Sequence, residues 1–322
     1  MGQAGRDGLE KFLDAVRALE RQRESRIWCV VHVGPGHICA PTMNSLFLGR
    51  DDIGTGKDVD LLLHSPGGHP DIAYKAIKFF RRRFRKVNVI VPLFAKSAAT
   101  LMCLGADKIY MGEFAELGPI DIQIDDQVQH GAKNFSPLNE FKSIEFMREQ
   151  AIEWMDFYAV IMNSRYGMSL KEGLKDSVPL VAGLLRPMFE QIEPLGMGEH
   201  RRALAISEEY AKRIIALTGN VNARNIVKKI VWEYPSHEFC IDFEEAEALG
   251  LPVERLSESQ DRLITEAIVA LQKGDTYHGF APNTQGQGLP QVRKRRSPAS
   301  AKLSRRPNGR DDNRPEERAR PS

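Results

Sequence analysis

Within one stretch of this chain, a strand-like apolar run is followed by a helical pattern of apolar residues, and this happens twice. The apolar run from Val59 to His64 ends in Ser65-Pro66-Gly67-Gly68, a pattern typical of a buried strand that terminates in a turn. From Ile72 to Phe84 the apolar residues recur at helical spacing, with basic residues between them. A second apolar run, Val87 to Leu93, leads to Ser97, where small and apolar residues begin another helix. Two successive strand-turn-helix units predict a parallel sheet with right-handed crossovers.

The same patterns predict elements on both sides of this unit. Residues 1–24 form an amphipathic helix, and Arg26 to Val33 is a first strand. Residues 37–58 are expected to connect that strand to the next one. A long helix starts at Ser143, and a last amphipathic helix runs from Asp261 to Gln272. We therefore expect an α/β domain over residues 25–271, preceded by the helix at 1–24.

Charge separates the last residues from the rest. Gln272 to Ser322 contains twelve Lys and Arg against five Asp and Glu, whereas the whole chain of 322 residues has a net charge of +2. This segment is rich in Pro, Gly, Ser and Arg and has almost no large apolar residues after Leu289, so we predict a basic disordered tail over residues 272–322. A basic arm can bind nucleic acid or another polyanion. A solubilising tail is the favoured interpretation, because no aromatic residue interrupts Arg293 to Arg296 to stack on bases.

The cysteines and the apolar runs indicate the cellular location to expect. Cys29, Cys39, Cys103 and Cys240 have neither a disulfide-like nor a zinc-like spacing, which favours a reducing compartment. The first 24 residues are charged and amphipathic, unlike a signal peptide. No apolar run reaches the roughly 18 residues of a membrane span. We expect a cytoplasmic protein without a transmembrane segment.

Two of the strand ends carry residues suited to chemistry. In a parallel sheet, the turn at Gly67-Gly68 and the hydroxyl of Ser97 open on the same crevice. Glycine allows backbone N–H groups to approach a ligand closely. A hydroxyl that faces backbone donors is the arrangement that acyl transfer needs. The alternatives are that Ser97 only caps a helix and that Gly67-Gly68 is only a tight turn.

Four segments resemble the serine dehydrogenase proteinase family, a branch of the Clp-protease/crotonase superfamily related to signal peptide peptidase A. They are LLLHSPGG (61–68), AKSAATL (95–101), LGPIDIQI (117–124) and YPSHEFCIDFEEAEALGLPV (234–253). The resemblance implies a Clp/crotonase-like spiral of β-β-α units, with a parallel sheet flanked by helices. One departure is Ala98-Ala99, where relatives carry one or two glycines after the serine. Because alanine avoids positive φ, no strained turn is expected at Ala98.

The resemblance also implies an activity. Ser97 would be the nucleophile of a serine endopeptidase that hydrolyses peptide or protein substrates through an acyl-enzyme. Gly67, Gly68 and Ala98 would form the oxyanion hole, with N–H groups from Gly68 and Ala98 and a turn shaped by Gly67. No metal or organic cofactor is implied, and relatives assemble into homo-oligomers.

The group that accepts the proton of Ser97 stays open. Relatives use either a histidine held by an aspartate, which matches His237 and Asp121, or a single lysine, which matches Lys142. His64 and His32, at or near strand ends, could also face the crevice.

Two other functions stay open beside the peptidase. One is a crotonase-type acyl-CoA enzyme, which uses the same oxyanion hole without a serine nucleophile. The other is a catalytically silent scaffold or adaptor with a polyanion-binding tail.

Overall fold

A six-stranded, mostly parallel sheet lies at the centre of the computed structural model, which describes residues 3–120, 124–125, 134–135, 137–271 and 274–281. The sheet consists of β1 (Ile27–His32), β2 (Gly56–His64), β3 (Phe84–Val91), β5 (Lys108–Met111), β9 (Val253–Arg255) and β10 (Thr276–Phe280). Its strand order is β10-β1-β2-β3-β5-β9, and only β10 is antiparallel to its neighbour. Two small pairs complete the strands: β4 (Phe94–Ala95) with β6 (Glu116–Leu117), and β7 (Ile124–Asp125) with β8 (Asn134–Phe135).

Helices cover both faces of this sheet. They are α1 (Gln3–Arg23), α2 (Ala40–Leu48), α3 (Arg50–Ile53), α4 (Pro70–Arg83), α5 (Ala98–Cys103), α6 (Pro137–Tyr166), α7 (Leu170–Phe189), α8 (Pro194–Ile215), α9 (Ala223–Lys228), α10 (Phe243–Ala248) and α11 (Glu258–Val269). A π-helical segment, Lys229–Glu233, follows α9.

The central strands are apolar throughout because both of their faces are buried. Leu61 and Leu63 of β2 point into a core formed with α4, α5, α8 and α9. Leu62, between them, points into a second core beneath α1 and α11. A strand covered on both faces reads as a continuous apolar run, as in parallel sheets. The predicted fold class, an α/β fold with a mostly parallel sheet flanked by helices, is confirmed.

The β2–α4 connection places the Gly67-Gly68 turn at the carboxyl end of β2. Pro70 opens α4, where a missing N–H costs nothing. Ala73, Ala76, Ile77 and Phe80 then bury one face of the helix against the sheet. Phe84, which the helical spacing had assigned to this helix, instead begins β3.

Two predicted boundaries need correction. The segment predicted as a disordered tail from residue 272 contains β10, which pairs with β1 from Trp28–Phe280 to His32–Thr276. Its apolar residues, Tyr277 among them, were obscured by the basic and glycine-rich residues around them. Residues 282–322 lie outside the described part of the chain, and a tail there stays a prediction. Residues 37–58, predicted as connecting structure, contain α2 and α3.

No helix in the described ranges is long and apolar enough to cross a membrane. The cytoplasmic location stays a prediction.

Candidate active site

The Gly67-Gly68 turn and Ser97 lie against each other, as the strand order predicted. A Cβ built on Gly67 would lie 2.7 Å from Cβ of Ser97 and 2.8 Å from the carbonyl oxygen of Lys96. Gly67 also has a φ of +113°, which side chains rarely adopt. Glycine is therefore required here both by conformation and by the closeness of Ser97.

Backbone hydrogen bonds fix the position of this turn. Ser65 N–H donates to the carbonyl oxygen of Phe94 at 3.1 Å, and Lys96 N–H donates to that of Ser65 at 3.0 Å. On its other side, Ile38 N–H donates to the carbonyl oxygen of Gly67 at 2.7 Å. The end of β2 is thus tied directly to β4, the short strand before Ser97.

Ser97 itself has a strained backbone, with a φ of 50° and a ψ of −116°. It occupies the position before α5, but its side chain makes no capping hydrogen bond. The helix-cap interpretation therefore has no support in the structure. A non-glycine residue in such a conformation costs of order 1–3 kcal/mol and persists where function needs it. A serine on a sharp strand-to-helix turn presents its hydroxyl as nucleophilic serines do. Ala98 is helical, as expected.

The residues next to Gly67 and Ser97 in sequence, Gly68 and Ala98, supply the candidate backbone donors. The N–H of Gly67 is engaged, because it donates to Ser65 Oγ at 3.2 Å. Within the described ranges, the N–H groups of Gly68 and Ala98 make no hydrogen bond. Such N–H groups can stabilise an oxyanion that forms beside the serine. The arrangement leaves Gly67 the role of shaping the turn.

Both candidate bases are connected to residues 234–241: His237 belongs to this segment, and Lys142 of α6 contacts it. Lys142 Nζ donates to the carbonyl oxygen of Tyr234 at 2.7 Å, and His237 lies half-buried in the same segment. This segment reaches the site through Ile241, whose N–H donates to the carbonyl oxygen of Leu117 at 3.0 Å; Leu117 belongs to β6, the partner of β4. No hydrogen bond in the described part of the chain joins either base to the Ser97 hydroxyl. Asp121 lies outside the described residues.

Comparison with known families agrees with this geometry. Residues 49–140 match the family of ClpP-like SDH-type serine proteinases. The match confirms the resemblance over the segments 61–68, 95–101 and 117–124, which contain the Gly67-Gly68 turn and Ser97. The segment 234–253, which contains His237, lies beyond it.

Two curated relatives are similar over short stretches. Uncharacterized protein MJ0137 of Methanocaldococcus jannaschii is 44% identical over 68 residues, which are 21% of this chain and 24% of that protein. Uncharacterized protein MJ1495 of the same organism is 30% identical over 124 residues, which are 35% of this chain and 42% of that protein. The chain thus spans less than half the length of these relatives.

Solved structures show a weaker likeness. A structure of the 1510-N membrane-bound stomatin-specific protease with a substrate peptide has a TM-score of 0.40 at 12% identity, covering 82% of this chain and 85% of that one. A ClpP1 variant from Listeria monocytogenes has a TM-score of 0.27 at 14% identity, covering 50% and 83%. Likeness at this level carries no functional conclusion.

Histidines lie near Ser65, the residue that precedes the Pro66-Gly67-Gly68 turn. His32, which its place near a strand end allowed to face the crevice, has its Nδ1 2.9 Å from Ser65 Oγ. The ring of His64 packs 4.1 Å from that of Phe94, and its Nδ1 is buried without a hydrogen-bond partner among the described residues. Burial lowers the pKa of His64 to about 4, so its imidazole is neutral near pH 7.

Sequence reasoning missed two residues of this region. Ser65 directly precedes the Pro-Gly-Gly turn, and this position was its only signal. His278 lies in β10, within the predicted tail; its Nε2 is 2.9 Å from Nε2 of His32. In the described ranges, no group of three or more His, Cys, Asp or Glu is placed to hold a metal ion.

Proposed function

We propose that this protein is a serine endopeptidase that hydrolyses peptide bonds through an acyl-enzyme on Ser97. The observation that carries the proposal is the strained backbone of Ser97, which packs against Gly67. The following residues, Gly68 and Ala98, have N–H groups without a hydrogen bond in the described ranges. A structural serine has no need of that conformation. The match of residues 49–140 to SDH-type serine proteinases supports the same activity.

The chemistry follows from these atoms. Ser97 Oγ attacks the carbonyl carbon of the scissile peptide, while a base takes its proton. The carbonyl oxygen becomes an oxyanion that accepts hydrogen bonds from the N–H groups of Gly68 and Ala98. Loss of one such donor typically lowers kcat by about 10²- to 10³-fold. The C–N bond then breaks as the base returns the proton to the leaving amine, and water hydrolyses the ester by the same steps.

Two groups are candidates for the base, and we place His237 with Asp121 ahead of Lys142. A histidine base acts in its neutral form, so activity should rise through roughly pH 6 to 7. A lysine must be neutral to act, which moves the rise toward roughly pH 8 or above even after burial. His237→Ala and Lys142→Ala should agree with the profile: only the variant of the true base loses acylation.

The test of the proposal uses a fluorophosphonate probe, which labels an activated serine. Wild type should be labelled, and Ser97→Ala should lose both labelling and peptide hydrolysis by several orders of magnitude. Ser257→Ala is a matched control, because Ser257 Oγ caps α11 by accepting from Gln260 N–H. It should lose about 1 kcal/mol of stability but keep its labelling. An unlabelled Ser97 in folded wild type would refute the peptidase and favour the acyl-CoA enzyme or the scaffold.

The predicted homo-oligomer is part of this proposal. The α6–α7 pair exposes several large apolar side chains, among them Phe157 at 66% and Leu184 at 55%. Exposed apolar surface of this kind is typical of an interaction site. A mass in solution that is a multiple of 36.2 kDa would support self-association.

A further inference from the structure

A chain of hydrogen-bonded side chains runs from the edge strand to the oxyanion turn. Nε2 of His278 in β10 lies 2.9 Å from Nε2 of His32, and Nδ1 of His32 lies 2.9 Å from Oγ of Ser65. Ser65 Oγ in turn accepts the N–H of Gly67 at 3.2 Å. Ser65 and His32 are 0% and 1% exposed, so water does not compete for these bonds.

The proton positions along this chain can be arranged in two ways. His278 can donate to His32, which then donates to Ser65, whose hydroxyl turns to the carbonyl oxygen of Gly67 at 3.4 Å. Alternatively, Ser65 donates to His32, which donates to His278. In both arrangements Ser65 Oγ accepts from Gly67 N–H. The turn is therefore held in the same way whichever tautomers are present.

Ser65 also connects this chain to the nucleophile. Its backbone bonds both Phe94 and Lys96, the residues on either side of the Ala95 that pairs with it. One buried residue thus fixes both the turn that carries Gly68 N–H and β4, the strand that leads to Ser97. A shift of Ser65 changes the distance between the oxyanion donor and the hydroxyl.

The two imidazoles stay uncharged while they do this. Burial first, and then the neighbouring His278, His37 and His64, lower the pKa of His32 to about 3. Burial also lowers the pKa of His278 to about 4. The chain therefore keeps one charge state throughout the range in which a histidine or lysine base would act.

We propose that His278, His32 and Ser65 are positioning residues that hold the N–H of Gly68 in place beside Ser97. The proposal rests on the proposed function, because it assigns these residues to the stabilisation of its oxyanion. None of the three touches the reacting atoms. Their loss should therefore slow the chemical step without weakening the binding of the substrate.

Variants of His32 separate this role from simple stability. His32→Asn keeps an amide near the position of Nδ1 and so keeps the bond to Ser65, whereas His32→Leu has similar size and no polar atom. We expect His32→Leu to lower kcat by about 10- to 100-fold with KM changed less than about twofold, because small misplacements of catalytic groups cost this much. His32→Asn should recover most of the loss. The pH profile should keep its shape in both, since neither variant removes the base.

His278→Phe removes the outer link of the chain and should lower kcat in the same direction. Tyr277→Phe is its matched control. It removes a part-buried hydrogen bond of the same strand, from Tyr277 to the carbonyl oxygen of Phe280, that is not one of the bonds linking His278, His32 and Ser65. It should lower the melting temperature but leave kcat unchanged. Equal kcat in His32→Leu and wild type, or equal losses in His278→Phe and Tyr277→Phe, would overturn the proposal.

Amide hydrogen exchange at Gly67, measured by NMR, tests the support independently of activity. Exchange should be slow in wild type and at least about tenfold faster in Ser65→Ala, because the acceptor of that N–H is gone. Unchanged exchange would overturn the support even in an active enzyme. If wild type is neither labelled nor active, the proposed function fails. The exchange result alone then decides whether the hydrogen bond from Gly67 N–H to Ser65 holds the turn.

Discussion

Gly67 and Ser97 each have a backbone conformation that most residues with a side chain avoid, and the two residues are in close contact. The φ of Gly67 is +113° and that of Ser97 is 50°. The strain expected to be absent at Ala98 lies one residue earlier, on the serine itself. Alanine fits the position after Ser97 because that residue is already helical.

A pair of glycine variants separates conformation from contact. Gly54 and Gly67 both have positive φ, but a Cβ on Gly54 meets nothing within 4 Å, whereas one on Gly67 meets Ser97 and Lys96. Gly54→Ala should cost about 1–2 kcal/mol of stability and keep fluorophosphonate labelling. Gly67→Ala should cost more and abolish labelling, because Ser97 must move. Chemical denaturation and labelling of both variants test this, and full labelling of Gly67→Ala would contradict the described contact.

The meeting of Ser97 with Gly67-Gly68 could be predicted because it depends on strand order alone. Parallel strands bring their carboxyl ends to one edge, and apolar runs reveal the strands. The role of Ser65 could not be predicted in this way, since a hydroxyl gives no sign of its partner in sequence. His278 could not either, because its partner His32 belongs to a distant strand.

Among the strands and helices, those with long apolar periods were predictable and the short ones were not. The central strands and the long helix α6 show a clear pattern, although α6 begins at Pro137 and not at the predicted Ser143. One face of α6 is half-buried, as the pattern predicts: Ile144, Met147, Ala151, Met155, Tyr158 and Met162. The strand β10 has five residues and sits between a glycine and a basic segment, so composition over a wider window concealed it. Its pairing with β1, rather than its own propensity, makes it a strand.

Two truncations test the corrected boundary. Removal of residues 282–322 takes away a segment with few large apolar residues and should change the melting temperature by less than about 2 °C. Removal of residues 272–322 also takes away β10 and exposes the edge of β1. This truncation should lower the melting temperature by at least about 5 °C. Equal melting temperatures would mean that β10 does not stabilise the sheet. If the full chain binds nucleic acid in a gel-shift assay and the chain without residues 282–322 does not, the result would support a polyanion-binding arm in these residues.

The molecule as a whole carries several imidazoles that folding keeps neutral, which makes its stability depend on pH. The pKa of His32 is about 3 and that of His64 about 4 in the folded state, against an ordinary value of 6.5. Below pH 6.5 the unfolded chain therefore binds more protons than the folded one, and acid favours unfolding.

We expect the free energy of unfolding to fall by about 1.4 kcal/mol per pH unit for each such histidine between roughly pH 6 and 4, and to be insensitive to these groups above pH 7. Urea titrations across this range measure the slope. His32→Asn should have a slope smaller by about one proton, since asparagine does not titrate. Identical slopes would show that His32 is protonated in the folded state.

The pairing of β10 with β1 also sets an order in time. During synthesis, residues 27–111 can form β1, β2, β3 and β5, and this range also contains the Gly67-Gly68 turn and Ser97 of the candidate site. The outer edge of β1 then stays unpaired, and His32 lacks its partner, until residues 276–280 leave the ribosome. An open strand edge invites pairing with other chains, so this interval is when the nascent chain is most exposed to aggregation. Under the proposed function, we expect fluorophosphonate labelling of Ser97 on the ribosome-bound chain to reach its full rate only after β10 has emerged, because His278 then completes the support of the turn.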